Sequence, residues 1–346
     1  MRARLLYFIP LLFCFALLLS GCSASKEPIS RSGFYFDTVI QITVYDENDV
    51  NCLEDCLELA AQYEQIFSPS IEGSDIWKIN HSGGQPVTVS EETIHLLEAA
   101  LSYCDMTEGQ IDITIETLSK LWNFHGDEIK TGSSPSSGSS SNTNRIPDEK
   151  NIAEAVRHVD YQNLHIDGNT VTLADAEASI SLGFIAKGYI ADQMKEYLLS
   201  QNVKSAIINL GGNLLAVGDK PDGMPFQFGI QKPFDSQGTP ITVLSVSDKS
   251  AVSSGVYERY FYQDDVLYHH ILDPVNGYPI QNNLLGVTIL SDSSMTGDAL
   301  STSCFVLGLE DGMALIESLE GIEAVFITKD YELHCSSGIS QYYISN

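Results

Sequence analysis

Two histidines and a carboxylate stand beside two chain breakers in Tyr268-His269-His270-Ile271-Leu272-Asp273-Pro274-Val275-Asn276-Gly277-Tyr278-Pro279. Imidazole is the side chain that titrates closest to neutrality, so His270 is a candidate to take or give a proton. Apolar Ile271 and Leu272 predict a strand that stops at Asp273-Pro274, and Asn276-Gly277 predicts a turn. That places His270 and Asp273 at the mouth of a strand. A polar hairpin turn without chemistry is the competing reading of this stretch alone. Farther along, Asp298 and Thr302 are spaced to share one face of a predicted helix. Their oxygens are hard donors, suited to magnesium rather than zinc. With no ligand, the same pair reads as a helix-start aspartate and a threonine bonding back to a carbonyl.

Three glycine-bearing turns could let a backbone approach a ligand closely: Gly183, Gly188 and Gly211-Gly212. None forms GxGxxG or a P-loop, and on their own they read first as plain tight turns.

The elements that must position these groups mix helices and strands. Phe34–Tyr45 alternates and reads as one strand. Asp49 is placed to cap a helix with Leu53, Cys56, Leu57, Ala60, Tyr63 and Phe67 inward. Short helices are expected from Ser74 and Ser90, and another after Ile111-Asp112-Ile113-Thr114. A helix follows Pro147-Asp148, and 164–173 reads as a hairpin. A helix runs from the Gly183–Tyr189 loop to about Leu199, and Ala206–Leu210 is a strand. Further strands are expected at Phe226–Gln231, Ile241–Val246, Tyr257–Tyr262, Tyr268–Leu272 and Gly286–Leu290. A helix carrying Asp298, a second near Gly312–Leu319 and two terminal strands complete the chain. Without strict βαβ alternation, the fold class is α+β with mixed or antiparallel sheets and flanking helices.

Residues 1–21 read as a secretory leader: Arg2 and Arg4, an apolar run from Leu5 to Leu19, then Leu19-Ser20-Gly21-Cys22. That ending resembles a bacterial lipobox, with Cys22 the lipidated first residue; an ordinary signal with a chance cysteine is the alternative. No later stretch is expected to span a membrane. Residues 22–33 read as a tether, 34–346 as one domain, and 131–146, rich in Ser and Gly, as a flexible insertion. Loss of Arg2 and Arg4 with the leader carries the net charge from -28 to -30. Such a surface repels nucleic acid and suits a neutral, basic or metal-bound partner. Cys52, Cys56, Cys104, Cys304 and Cys335 are an odd, irregular set that argues against a disulfide framework. Cys52 and Cys56 have no histidine nearby and read as helix residues.

The pieces cohere in a resemblance. FDT (36–38), IDIT (111–114), LW (121–122), LGFIAKGY (182–189), NLGGN (209–213), SG (254–255), YERY (257–260), YHHILDPVNGYP (268–279) and GDALST (297–302) are similar, in this order, to the FAD:protein FMN transferase (ApbE) family. The resemblance implies an enzyme that binds FAD and a divalent cation, usually Mg2+, and transfers FMN to a Thr or Ser of an acceptor protein, releasing AMP. It implies metal ligands Asp298, Thr302 and the Phe184 carbonyl. It implies FAD contacts at Phe36, Thr38, Gln110, Ile111, Asp112, Ser181, Lys187, Gly211, Gly212, His270 and Ile271. Catalysis would rest on His270, Asp298 and Lys187: Lys187 as a point charge at the phosphates, and His270, titrating near neutrality, moving a proton or only packing on the flavin or adenine. The acceptor would be a flavin carrier of a membrane or extracytoplasmic electron-transfer system, met by a protein lipid-anchored on the outer face of the cell membrane. A magnesium-dependent FAD pyrophosphatase and a non-catalytic flavin-binding lipoprotein are the alternatives. Many members carry Asp where this chain has Ser181, a small residue at Phe184, and Gly-Pro where it has Glu116-Thr117.

Overall fold

The structure, a computed structural model, describes residues 27–124 and 145–343. The expected leader with Cys22 and most of the Ser/Gly-rich insertion lie outside the described residues.

An eight-stranded antiparallel sheet organises the chain. Its edge is β1 (Ile29–Tyr35), paired with β2 (Thr38–Val44). Next come β6 (Ser205–Leu210), β7 (Asn213–Gly218), β10 (Ser250–Gly255) and β13 (Leu284–Ser291). β14 (Glu323–Thr328) and β15 (Leu333–Cys335) close the far edge. The alternation in β2 has a direct cause: Ile40, Ile42 and Val44 point into the core while Val39 and Gln41 face solvent. β13 is buried at all of its positions, so both of its faces are covered. Smaller sheets lie outside: β3 (Val87–Thr88) with β5 (Thr170–Leu173) and β4 (Leu164–Asp167), and the hairpins β8–β9 (Phe226–Gln231, Pro240–Val246) and β11–β12 (Tyr260–Gln263, Val266–His269).

The helices are α1 (Asn51–Phe67), α2 (Asp75–Asn80), α3 (Glu91–Met106), α4 (Glu116–Trp122), α5 (Glu149–Val156), α6 (Ala186–Ser200) and α7 (Ser294–Glu317). Ser74 and Ser90 cap α2 and α3 by accepting the Trp77 and Thr93 N–H groups at 3.0 and 3.2 Å, as their residue types require. α6 and α7 pack on each other, and α7 packs on β10 and β13. A second small core joins α4, α5 and the β11–β12 hairpin through Leu118, Trp122, Phe124, Ile152, Phe261 and Leu272. Trp122 ties it to the histidine-bearing stretch by donating from its ring N–H to the Gly277 carbonyl at 2.7 Å.

Several expectations need correction. Phe34–Tyr45 is not one strand: Phe36 and Asp37 both take positive φ (52 and 55°) and turn the chain between β1 and β2. Cross-strand pairing draws Ile29–Gly33 out of the expected tether and into β1. Asp46, not Asp49, is the cap before α1, and it caps a short 3-10 turn; α1 itself starts without a side-chain cap. Strands β7 and β10 escaped notice because Gly, Ser and Ala dilute their apolar alternation. The His-bearing strand ends at His269, leaving Leu272 in a single bridge to Pro279. The helix expected near Gly312 is the far half of α7, which breaks at Gly308 (φ 82°, ψ -176°). By length and composition α7 could cross a membrane (mean hydropathy 1.4), against the expectation that no later stretch could; here it is a core helix with Ala299, Leu300, Cys304 and Phe305 buried.

Candidate active site

The start of α6, the start of β7, the end of β10 and the first half of α7 converge on one cavity. Gly183, Lys187, Gly211, Asn213, Val252, Ser253, Ser254, Glu258, His270, Asp298 and Thr302 line it.

Close packing of α6 on α7 sets its geometry. A Cβ on Gly188 would lie 2.3 Å from the Ser294 carbonyl oxygen, so only glycine permits this approach. One turn on, Asp192 accepts the Ser293 hydroxyl (2.7 Å) and the Ser294 and Met295 N–H groups (2.7 and 3.0 Å). A carboxylate from one helix thereby caps the N-terminus of the other, where the dipole favours it.

This clamp delivers Asp298, which is 3% exposed. Its Oδ2 accepts the Gly188 N–H at 2.9 Å, and its Oδ1 lies 3.4 Å from Lys187 Nζ. The ammonium also donates to the Gly183 carbonyl at 3.2 Å. One turn along α7, the Thr302 hydroxyl lies 3.0 Å from Ser254 Oγ, which also contacts Ser301 Oγ at 2.7 Å.

His270 does not behave as its sequence reading suggests. Burial, then the positive Arg259 and His269, push its pKa down to about 3, so the ring is neutral through the physiological range instead of titrating near neutrality. Its Nδ1 is buried and meets no partner among the described residues. Burial likewise holds His269 down to about 4, and its Nε2 faces the Ile280 carbonyl at 3.1 Å.

Glu258, quoted only as part of YERY, is a wall residue that sequence reasoning missed. Burial pushes its carboxyl up to about 7, opposed by Lys187 and Arg259 and reinforced by Asp298. A charged residue inside an aromatic run was the available signal. Asn213 and Ser254 are also wall residues that were given no role.

The other expected positions divide. Thr38 packs onto the Gly211 turn: a Cβ on Gly211 (φ 62°) would fall 2.1 Å from Thr38 Oγ1. Gly212 (φ 97°) completes that turn. Phe36 sits in the β1–β2 turn with its N–H on Glu64 Oε1 at 2.6 Å. Gln110, Ile111 and Asp112 follow α3 and do not line the cavity. Asp112 is a structural hub: Oδ1 takes the Thr114 N–H and hydroxyl (2.7 and 2.5 Å), and Oδ2 takes the Tyr161 N–H (2.9 Å). Ile271 is buried, its carbonyl accepting the Ile280 N–H at 2.9 Å. Asp273 stabilises its own turn through the Val275 N–H at 2.8 Å. Ser181 accepts the Gly183 N–H at 3.3 Å, and its side chain opposes the rise of the Glu116 carboxyl. Burial pushes the Glu116 carboxyl up to about 7, with Lys120 opposing.

The oxygens expected to hold a cation suit one. The Phe184 carbonyl receives no main-chain donor among the described residues. The N–H that a continuing α-helix would send it, that of Gly188, goes to Asp298 instead. Carbonyl, carboxylate and hydroxyl together form a hard donor set. Among the described residues no three His, Cys, Asp or Glu cluster as a metal site. With Asp298 the one carboxylate of that set, a cation here would need further oxygens, from its ligand or from Glu258 on the same wall.

The chain matches the ApbE family over residues 36–326, and it belongs to that family. It is 32% identical to the FAD:protein FMN transferase of Treponema pallidum (strain Nichols), over 98% of this chain and 96% of that protein. It is 36% identical to an FAD:protein FMN transferase of Klebsiella pneumoniae (strain 342), over 81% and 83%. The fold superposes on the ApbE protein of Thermotoga maritima MSB8 with a TM-score of 0.80 at 29% identity, covering 92% of this chain and 100% of that one. The flavin transferase ApbE of Vibrio cholerae gives 0.78 at 28% identity, covering 91% and 99%.

Proposed function

We propose that this protein moves FMN from FAD onto a Ser or Thr hydroxyl of an acceptor protein and releases AMP. The observation that carries the reading is the meeting of Lys187, Asp298, Thr302 and an uncharged His270 around one cavity, in a chain whose relatives are FAD:protein FMN transferases.

In the reaction the acceptor oxygen bonds to the phosphorus of the FMN half, the pyrophosphate P–O bond breaks, and AMP departs with the bridging oxygen. Lys187 supports negative charge on the phosphates. His270 can accept the proton of the attacking hydroxyl once the negative phosphates raise its pKa from about 3. Asp298, Thr302 and the Phe184 carbonyl would hold a divalent cation, magnesium by donor type. Such an ion neutralises charge on pyrophosphate oxygens when bound. Gly188 and Asp192 keep Asp298 and Thr302 facing the cavity.

In the same reading Cys22 carries lipid and holds the domain on the outer face of the cell membrane, as the Leu19-Ser20-Gly21-Cys22 ending and the preceding apolar run suggest. The acceptor is then a flavin carrier of a membrane or extracytoplasmic electron-transfer system.

The test mixes the full chain in detergent with FAD, magnesium and an acceptor domain bearing a Ser/Thr flavinylation site, and reads the acceptor's mass. A gain of one FMN, abolished by chelator, is expected. FAD split to FMN and AMP with an unmodified acceptor would replace the reading with a pyrophosphatase. Intact bound FAD would leave a flavin-binding protein.

A further inference from the structure

Asn213 opens β7 and is 1% exposed. Its register is fixed from both sides, opposite Leu210 on β6 and Val252 on β10. The two ends of its amide meet different surroundings. Oδ1 takes the Ser294 hydroxyl at 2.6 Å, inside the α6–α7 clamp. Nδ2 is buried and reaches no acceptor among the described residues. Buried amide donors are almost always paired, and this one belongs to a wall of the cavity that also holds Lys187 and Gly211.

Lys187 has capacity beside it. Its ammonium carries three donors; its contact to Asp298 is 3.4 Å, long for a charged pair, and that to the Gly183 carbonyl is 3.2 Å. Gly211, on the same cavity wall, brings no side chain. A neutral N–H and a cation on one wall match an anionic oxygen better than a flavin carbonyl, which needs no charge.

We propose that Asn213 is a substrate-positioning residue whose Nδ2 donates to a phosphoryl oxygen of a pyrophosphate-bearing ligand beside Lys187. This rests on the transferase reading for the ligand's identity and adds the donor that fixes its phosphate. Asn213 does not react; it holds the pyrophosphate while Oδ1 stays committed to Ser294.

The test measures affinities of the full chain for FAD, ADP and riboflavin by calorimetry, in wild type, Asn213→Ala and Ser294→Ala. Asn213→Ala removes both amide contacts; Ser294→Ala removes only the one to Oδ1. A charged hydrogen bond of this kind predicts about tenfold to a hundredfold weaker FAD and ADP binding in Asn213→Ala. Riboflavin affinity should be unchanged, and Ser294→Ala should stay within about twofold of wild type. Equal losses in the two variants would make the residue structural and overturn the proposal. Should Asn213→Ala fail to fold, Asn213→Asp keeps the shape and the Ser294 bond; wild-type ADP affinity in that variant would overturn it too. Wild type that binds ADP through Asn213 but never flavinylates an acceptor would leave this inference standing and remove the transferase reading. Failure of wild type to bind FAD or ADP would remove both.

Discussion

Gly188 and Ser294 touch through space that a single methyl group would fill: the Cβ that glycine lacks would sit 2.3 Å from the Ser294 carbonyl oxygen and 2.6 Å from the Met295 Cα. Gly188→Ala must therefore push α6 off α7 at the point where the Gly188 N–H holds Asp298. Overpacking of this kind costs about 1–3 kcal/mol. We expect a lower melting temperature and a loss of transfer larger than the stability change explains, seen by comparing activity well below the midpoint with thermal unfolding. A variant with wild-type activity and stability would contradict the clamp.

Asp298→Ala removes the only side-chain carboxylate of the expected cation set and frees Lys187. Turnover should fall by at least about a hundredfold, because the charge it contributes matters most as the pyrophosphate breaks. FAD binding should change less than about tenfold, since Lys187 remains for the phosphates. Thr302→Ala should be milder. Fluorescence titration alongside the transfer assay separates the two effects, and unchanged turnover would dismiss the metal assignment.

The Ser181 side chain holds down the pKa of the Glu116 carboxyl, which burial already pushes up to about 7. Ser181→Asp would set a second carboxylate against it. We expect Ser181→Asp to lower the melting temperature at pH 8 more than at pH 5, where Glu116 can hold its proton. Ser181→Asp with Glu116→Gln should recover most of the loss. Equal effects at both pH values would show that the two groups do not interact.

Two pairs of residues give opposite pH dependences. Glu116 and Glu258, raised from 4.5 to about 7, bind protons more tightly when folded. Their contribution is full below about pH 4.5 and is lost as pH rises through 7. His269 and His270, lowered from 6.5 to about 4 and 3, contribute above about 6.5 and lose it as pH falls through those values. The melting-temperature difference between the Glu116→Gln, Glu258→Gln double variant and wild type should therefore grow from pH 4.5 to 7 and hold constant above. A difference independent of pH would mean that both carboxyls titrate normally.

The α+β class and most helices were legible because caps and apolar periodicity are local. Ser74, Ser90 and the 164–173 hairpin fell where turn and cap chemistry put them. The Phe36-Asp37 turn was hidden because Asp37 is a lone turn residue beside a phenylalanine, and the apolar alternation runs on through it. β7 and β10 were hidden because their polar residues are chosen for contacts with α7, which packs on the sheet: Asn213 for Ser294 and Ser254 for Thr302. In the site, Lys187, Asp298, Thr302 and His270 could be named from motif spacing. The protonation of His270 could not, since it depends on burial and on Arg259 and His269 around the ring. Glu116 meeting Ser181 is a long-range contact with no local trace.

The break at Gly308 makes α7 two rods rather than one. Its backbone angles lie where only glycine is comfortable, and no neighbouring atom would obstruct a Cβ there. Conformation alone fixes that residue. The first rod takes its rotational phase from Asp192 and Gly188 at one end; the second packs back on the first, where a Gly312 Cβ would lie 2.8 Å from the Cys304 carbonyl oxygen, and on Phe326 of β14. The break therefore folds the second rod back over the first, so that residues beyond Gly308 cover the Cys304 turn and β14 while Asp298 and Thr302, at the other end, keep facing the cavity.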